Sequence, residues 1–247
     1  MAPQTFDKLE CMHAPGLDSP AASGVQGRRG NVIQRASDIL RSEGARVLWF
    51  RILGEIVYRR MILFELPLEE PLAAASACQV PVTISRLQLD EVDEYSAFRP
   101  SMDPVEIRSR LEHGHLCWIA RSEGTIVHTI WVATGSAWVR YLDCEIRLAP
   151  DEAYIYESYT APAFRRLNIN AARARVMARY LCDCSFVRLL ALVMPENPAG
   201  KQATISSGYR AAGVIGRMSL GPWQRHFSRL VPGARPVILA PRPPGRP

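Results

Sequence analysis

Two arginines and two asparagines stand where a strand-like run gives way to a helical pattern. The run "YESYTAP" ends at Pro162, Arg165 and Arg166 follow, and Asn168 and Asn170 stand before "AARARVMARYL". A helix start has unpaired N–H groups and a partial positive charge, and it stabilises a bound phosphate for both reasons. The order therefore indicates an anion-binding turn, although a decayed site and an ordinary connection are open alternatives.

Asparagine occupies the places where phosphate-binding turns usually have glycine. Glycine is needed where φ is positive or where a ligand lies against the backbone. Asparagine is the next most tolerant residue in the left-handed conformation, and it also caps helices well. We therefore expect the turn to survive, with Asn170 as a candidate N-cap. The side chain of Asn168 would then either obstruct a phosphate or donate a hydrogen bond to it.

The surrounding sequence predicts alternating strands and helices from residue 81 onward. "VTISRLQL", "AYIYESYTA" and "VRLLALVM" have strand character, and Ser122–Gly124 marks the turn of a hairpin. Two helices are predicted before the hairpin, with Asp90 and Asp103 as N-caps, and residues 138–148 would add an edge strand. The predicted order, β-α-α-β-β-β-α-β-α-β, indicates an α/β fold, an α+β mixed sheet with helices on its faces.

The order and the motifs resemble the GNAT superfamily, the acyl-CoA-dependent N-acyltransferases. That family has R/Q-x-x-G-x-G/A directly after its fourth strand, and Arg165–Ala171 occupies the corresponding place behind the lead-in "TAPAF". Asn197 and the pair Gly208–Tyr209 follow at spacings similar to those of the family, so the similarity extends over about residues 81–221. The resemblance implies a GNAT-like acyl-CoA N-acyltransferase fold with an N-terminal helical extension.

The same resemblance implies that acetyl-CoA or another acyl-CoA binds at this turn as co-substrate. Backbone amides of the turn would surround the pyrophosphate, and the strand before it would offer backbone partners to the pantetheine arm. The cofactor-binding residues implied in this way are Ser158, Tyr159, Thr160, Arg165, Arg166, Leu167, Asn168, Ile169, Asn170, Ala171 and Asn197. Arg173 and Arg175 would either reach the outer phosphate or lie solvated on the helix surface.

Glu157, on the strand before the turn, is the candidate catalytic base for an amine that is mostly protonated at neutral pH. Partial burial among tyrosines would strengthen it as a base, whereas an ion pair with an arginine would make it structural. In the family, a tyrosine seven positions after the asparagine often protonates the leaving thiolate, but Thr204 stands there. We therefore assign no acid. His115 and His128 lie on the predicted hairpin and face either the substrate cleft or the core.

Changes in composition divide the chain into four segments. They are a disordered segment at 1–30, a helix–strand extension at 31–78, the GNAT-like domain at 81–230 and a flexible Pro/Arg-rich tail at 231–247. The helical pattern extends over about residues 33–60. It indicates either a helix packed on the domain or a peripheral membrane contact through the basic and aromatic residues 45–60.

The composition narrows the range of partners. The chain of 247 residues is 48% hydrophobic and has a formal net charge of +6, without a dominant Lys/Arg block that would indicate a nucleic-acid partner. The six cysteines have no paired CxxC spacing and no histidine cluster nearby, so no metal is predicted. The N-terminus has no signal-peptide pattern, and the longest apolar run, "LLALVM", is too short to span a bilayer. These features predict a cytoplasmic protein.

Three functions remain open from the sequence. The first is transfer of an acyl group, most simply acetyl, from acyl-CoA to a primary amine by direct attack in a ternary complex. The second is a long-chain acyl-CoA N-acyltransferase that acts on a lipid amine, peripheral to the inner membrane face. The third is a degenerate, non-catalytic module of the same fold. The partners would be acyl-CoA and a small-molecule or lipid amine, and a homodimer is an open alternative.

Overall fold

Eleven strands and four helices lie within the residues that the computed structural model describes, namely 57–68 and 77–241. The strands are β1 Tyr58–Pro67, β2 Thr83–Arg86, β3 Leu116–Ser122, β4 Thr125–Thr134, β5 Ser136–Val139, β6 Cys144–Arg147, β7 Glu152–Thr160, β8 Arg188–Val193, β9 Arg210–Leu220, β10 Trp223–Leu230 and β11 Ile238–Pro241. The helices are α1 Val92–Phe98, α2 Pro104–Glu112, α3 Ile169–Asp183 and α4 Pro198–Ser206.

Eight of these strands form one sheet in the order β10-β9-β1-β8-β7-β4-β3-β2. Neighbouring strands are antiparallel except for β7 and β8, which are parallel. Parallel neighbours need a long crossover connection, and α3 lies in the connection between these two strands. The predicted α/β fold with a mixed sheet is confirmed.

β1 lies in the interior of this sheet, between β8 and β9. Leu63 lies opposite Leu192 on one side and Gly213 on the other, and its side chain is completely buried. The residues "MILF" at the start of the run "MILFELPL" are apolar at consecutive positions, which suits a strand that is buried on both faces. β1 is therefore a structural member of the sheet that residues 81–230 form.

This position changes the interpretation of the N-terminal extension. The helical pattern was expected to continue to about residue 60, but Tyr58–Arg60 belong to β1. Pairing with β9 outweighs the local helical spacing at these residues. The rest of the predicted helix, together with the segments 1–30 and 242–247, lies outside the described residues.

A second sheet has the strand order β11-β6-β5. The sequence predicted a single edge strand over 138–148 and a flexible tail over 231–247. Instead β5 and β6 form a hairpin, and Ile238–Pro241 pairs with β6 as β11. Val139 of this sheet is buried in the same apolar cluster as Tyr154 of β7. Burial of apolar surface thus holds the small sheet against the large one.

Helices cover both faces of the large sheet. Tyr95 of α1 and Ile107 of α2 pack in one buried cluster with Trp131 of β4. Met177 and Leu181 of α3 pack in another cluster with side chains from several strands. We refer to the two sides as the α2 face and the α3 face.

The ends of these elements follow the sequence in part. Asp103 caps α2 as predicted, since its side chain accepts a 2.9 Å hydrogen bond from an amide in the first turn. Asp90 does not cap α1. The carboxylate of Glu91 accepts from the Gln88 amide at 2.8 Å, and a short 3-10 turn precedes the helix. The predicted hairpin turn at Ser122–Gly124 is confirmed, with φ of 50° and 80° at its two central residues.

None of the helices within the two described ranges combines the length and the apolar character that crossing a bilayer requires. In the same part of the chain, no three His, Cys, Asp or Glu side chains are grouped as metal ligands would be.

Candidate active site

β7 and β8 are hydrogen-bonded at one end only. Their pairing extends from Glu152 opposite Arg188 to Ile155 opposite Ala191 and stops there. Beyond this point β7 continues beside β4 to Thr160, whereas β8 continues beside β1. The two strands therefore diverge and no longer pair with each other. We refer to the opening between them as the β7–β8 cleft, and its β7 side leads to the start of α3.

A buried ion-pair cluster holds the closed end of this cleft. Arg188, at the start of β8, is 4% exposed, and it donates to Glu152 of β7 at 2.7 Å and to Glu65 of β1 at 2.9 Å. Glu65 also accepts from Arg210 of β9 at 3.1 Å. Buried charges are costly unless they are paired and hydrogen-bonded. Here each buried charge has a partner, and the cluster joins four adjacent strands at the paired end of β7 and β8, three residues before their pairing stops.

A β-bulge in β7 lies at Glu157. Thr129 of β4 lies opposite Tyr159 of β7, and Trp131 lies opposite Tyr156. Two residue steps on β4 thus correspond to three on β7. Glu157 has a φ of 50°, which is uncommon for residues other than glycine, asparagine and aspartate. Bulges redirect side chains, and here the consecutive residues Tyr156 and Glu157 both contact Arg110 on the α2 face. In a regular strand they would point to opposite faces.

The Glu157 carboxylate is paired with Arg110 of α2. Arg110 donates to its two oxygens at 2.6 Å and 3.0 Å, and to Glu106 at 2.6 Å. Burial acts to lower the pKa of Arg110, but the hydrogen bonds to the two carboxylates raise it overall. The ion pair with an arginine is present, but 39% of the Glu157 side chain stays exposed, so pairing does not remove the carboxylate from solvent. The carboxylate is therefore fixed in direction and accessible from solvent.

Two histidines lie near the strand that carries Glu157. His115 Nδ1 is 2.6 Å from the Tyr156 hydroxyl, and His128 Nδ1 is 2.8 Å from the Thr160 hydroxyl. Burial lowers the pKa of His115 to about 4 and that of His128 to about 3. Both imidazoles are therefore neutral and weakly basic at neutral pH, so neither is a better candidate for the base than Glu157.

The turn between β7 and α3 contains two left-handed residues. Asn168 has φ 59° and ψ 19° immediately before α3, and Arg166 has a φ of 67°. The Asn168 side chain donates to the Ala77 carbonyl at 3.3 Å and does not cap the helix. Asn170 is the second residue of α3, so its predicted role as N-cap is wrong. The first amides of α3 consequently have neither a preceding helical carbonyl nor a side-chain cap.

The residues implied by the resemblance fall into two groups. Ser158–Thr160 and Arg165–Ala171 lie consecutively along β7, the turn and the first residues of α3. Arg165 and Arg166 are exposed, and the Arg165 Nε–H donates to the Thr160 carbonyl at 3.3 Å. Asn197 follows β8 on the other side of the cleft, and its side-chain oxygen accepts from the Gly200 amide at 2.8 Å as the cap of α4.

Two side chains near α4 are poor proton donors. The Thr204 hydroxyl donates to the Gly200 carbonyl at 2.8 Å, so its proton is already engaged. Tyr209 is 5% exposed, and burial raises the pKa of its hydroxyl. Neither group is arranged to protonate a leaving thiolate.

Sequence reasoning missed Arg110 and misplaced Arg173. Arg110 follows Glu106 by four positions, a spacing typical of a helical ion pair, but its other partner is 47 positions away. No local pattern reveals that contact. Arg173 is 2% exposed and is therefore not solvated on the helix surface. It lies four positions from both Ile169 and Met177 in the buried stripe of α3, and that spacing was the available signal.

No protein-family model matches the chain, and no curated protein matches it. Among solved structures, it is similar to a GCN5-related N-acetyltransferase from Sphaerobacter thermophilus, with 15% identity, a TM-score of 0.47 and coverage of 68% of this chain and 54% of that one. A GNAT-family acetyltransferase from Novosphingobium aromaticivorans has 16% identity, a TM-score of 0.43 and coverage of 63% and 62%. An aminoglycoside N-acetyltransferase in complex with CoA has 15% identity, a TM-score of 0.42 and coverage of 52% and 91%. The chain thus spans less than two thirds of the first two structures, and at these TM-scores the likeness is too weak to support a function.

Proposed function

We propose that the protein is an acyl-CoA-dependent N-acyltransferase that moves an acyl group, most simply acetyl, to a primary amine by direct attack. The observation that carries this proposal is the β7–β8 cleft, which places the exposed carboxylate of Glu157 and the turn at Asn168 along one strand. A donor with a long amide-bearing arm and an anionic end matches both features. The divergent strand would pair with the arm, and the turn would receive the pyrophosphate.

The backbone amides of the turn and the charges beside them suit a pyrophosphate. Ile169, Asn170 and Ala171 begin α3, and the amides of a first helical turn have no carbonyl within the helix to bond. These amides and the partial charge of the helix start attract an anion. Arg165 and Arg166 lie exposed beside them, and guanidinium groups bind phosphate oxygens with two parallel hydrogen bonds. The Asn168 side chain leaves this arrangement intact because the Ala77 carbonyl holds it.

The strand edge beside the turn fits the arm of the donor. Pairing between β7 and β8 ends at Ile155, so backbone groups of Tyr156–Thr160 that face the cleft no longer pair with β8. An extended ligand can bond to such an edge as an added strand would. This arrangement directs the far end of the arm towards Glu157.

We assign to Glu157 the role of the base that binds and deprotonates the amine. The bulge brings its carboxylate to the α2 face, and Arg110 holds both oxygens there. The exposed part of the carboxylate would accept a hydrogen bond from the incoming ammonium and take its proton, directly or through one water. Because Arg110 fixes the direction of the carboxylate, the amine would be held in one orientation towards the donor.

Direct attack is preferred to a covalent intermediate on Cys117 or Cys144. When bound, acyl-CoA supplies an activated thioester carbonyl for the amine to attack. A cysteine nucleophile needs the thiolate form, but burial raises the pKa of Cys117 and raises that of Cys144 to about 12. Both thiols therefore stay protonated at neutral pH.

Calorimetric titration of the full-length protein with acetyl-CoA, and with longer acyl-CoAs, tests donor binding. Release of free thiol from each donor, measured against a panel of primary amines, then tests transfer. If no acyl-CoA binds at millimolar concentration, the proposal is wrong. If acyl-CoA binds and no amine is acylated, the protein is a binding module.

Glu157→Gln tests the assignment of the base. Loss of a general base lowers kcat by about a hundredfold or more, while the Kd for acetyl-CoA should stay unchanged. Glu106→Gln is the matched control, because Glu106 binds the same arginine but lies on α2 with 21% of its side chain exposed. Equal kcat values for Glu157→Gln and the unmodified protein would reject the assignment.

A further inference from the structure

Among the described residues, Arg173 differs from the other two buried arginines in having no acidic partner. Arg110 and Arg188 each donate to two carboxylates. Arg173 is as deeply buried as either, at 2% exposure, yet no carboxylate of the described residues pairs with it. The residue lies in the apolar stripe of α3, where a methionine or leucine would pack without any charge.

The polar contacts of Arg173 lead back towards the start of α3. One terminal nitrogen donates to the side-chain oxygen of Asn170, the second residue of the helix. The other terminal nitrogen is 3.2 Å from the Met177 sulfur, and Nε has no partner. Burial lowers the pKa of Arg173 to about 10, so the group is still a cation at neutral pH.

The surroundings of Arg173 do not offset this charge. His128 and Tyr209 are the titratable neighbours that interact with it. Burial keeps both of them neutral at neutral pH, because it lowers the pKa of His128 to about 3 and raises that of Tyr209. His128 Nε2 and the Tyr209 hydroxyl are themselves buried without hydrogen-bond partners. Within the described residues, Arg173 is therefore a cation without a countercharge.

The position of this cation is unfavourable in the protein alone. A buried charge without a counterion is costly. The partial positive charge of a helix start also repels cations placed near it, and Arg173 lies only about one turn, roughly 5–6 Å, from the first residue of α3. An anion on the first amides of α3 would remove both penalties, and its attraction to Arg173 would be strong because little water lies between them.

We propose that Arg173 is a built-in countercharge for the pyrophosphate of the acyl donor, acting from beneath the first turn of α3 and through Asn170. This inference rests on the proposed function, since it concerns the same donor. Arg173 is a positioning residue: it favours donors that carry phosphate over the same acyl-pantetheine without phosphate. Its attraction to the pyrophosphate would also stabilise the complex with the donor beyond what the exposed contacts of the donor contribute.

Arg173→Met tests this role by replacing the charge with an apolar side chain of similar length. Titration calorimetry gives the Kd values of CoA, 3′-dephospho-CoA and pantetheine, and thermal unfolding gives the Tm of the free protein. We expect Arg173→Met to raise the Kd of the two pyrophosphate-containing ligands about tenfold, or ~1.4 kcal/mol, and to leave that of pantetheine unchanged. The Tm of the free protein should not fall. Arg173→Lys should keep most of the affinity, and Arg175→Met, which removes an exposed arginine two positions further on, should have a smaller effect.

The outcomes separate this inference from the proposed function. If the unmodified protein binds no CoA, the proposed function fails and this inference fails with it. If the unmodified protein binds CoA and Arg173→Met binds it equally well, only the inference is wrong. An equal loss of affinity for pantetheine would assign the effect to shape rather than charge. A lowered Tm, or a failure of Arg173→Met to fold, would show that Arg173 has a structural role and would also overturn the inference.

Discussion

Replacing Arg188 by methionine should destabilise the fold, because it removes the cation that joins β8 to β1 and β7 at the paired end of the β7–β8 cleft. The substitution leaves Glu65 and Glu152 buried, with only 9% and 4% of their side chains exposed, and deprives them of the cation they share. Removing one partner of a buried ion pair costs about 3–5 kcal/mol. For a protein of this size, that loss lowers the Tm by about 6–20 °C. Methionine fills much of the space, so most of the loss should come from Glu152, since Glu65 keeps Arg210 as a partner.

Urea unfolding followed by tryptophan fluorescence, together with scanning calorimetry, would measure this loss. Arg147→Met is the matched control, because its side chain is 61% exposed and pairs with Glu145 of the second sheet at 3.2 Å. An exposed pair of this kind contributes about 0–1 kcal/mol. Adding Glu152→Gln to Arg188→Met should recover part of the stability, since one buried charge is then removed. A loss below about 1 kcal/mol for Arg188→Met, or no recovery in the double variant, would refute the reasoning.

Two further predictions concern His115 and Asn168. Burial lowers the pKa of His115 to about 4, below its unfolded value of about 6.5, so the stability it contributes is complete above that unfolded value and is lost as the pH falls towards 4. As the pH falls between these values, the free energy of unfolding of His115→Asn should therefore decrease less than that of the unmodified protein. Urea unfolding at each pH measures this, and equal slopes of the unfolding free energy against pH would contradict the prediction. Asn168→Ala should lose about 1–2 kcal/mol because alanine is disfavoured in the left-handed conformation, whereas Asn168→Gly should keep its stability and its Kd for acetyl-CoA. Equal melting temperatures for the alanine and glycine variants would show that the positive φ is not required.

Local patterns in the sequence predicted the features of the fold that depend on residues close together in the chain. Asp103 followed by Pro104 marked the start of α2, and the order of strand, turn and helix around Asn168 was correct. Asparagine tolerates the left-handed conformation, and the turn uses that property at Asn168. The same local reasoning failed for Asn170, because α3 already begins at Ile169, one residue before it.

Contacts between distant segments determine the features that local patterns did not predict. The bulge at Glu157 arises from its pairing with β4, and the side chain meets an arginine from a helix that no spacing connects to β7. The burial of Arg173 follows from the way α3 packs on the sheet, although the four-residue spacing of the buried stripe already indicated the direction of its side chain. The strand character of "MILFELPL" was evident, but helical spacing up to about residue 60 concealed the first residues of β1, which pairing with β9 makes part of the strand.

The interior place of β1 has a consequence for how the chain is made. Two arginines that pair with Glu65 of β1 come 123 and 145 positions later in the sequence. During synthesis the run "MILFELPL" therefore leaves the ribosome long before either neighbouring strand exists. An apolar strand with two unpaired edges readily associates with other chains, and contacts of such long range close slowly. The nascent protein thus depends on the last third of its own sequence for protection against aggregation, and a protein shortened to begin at residue 81 would lack the strand that joins β8 to β9.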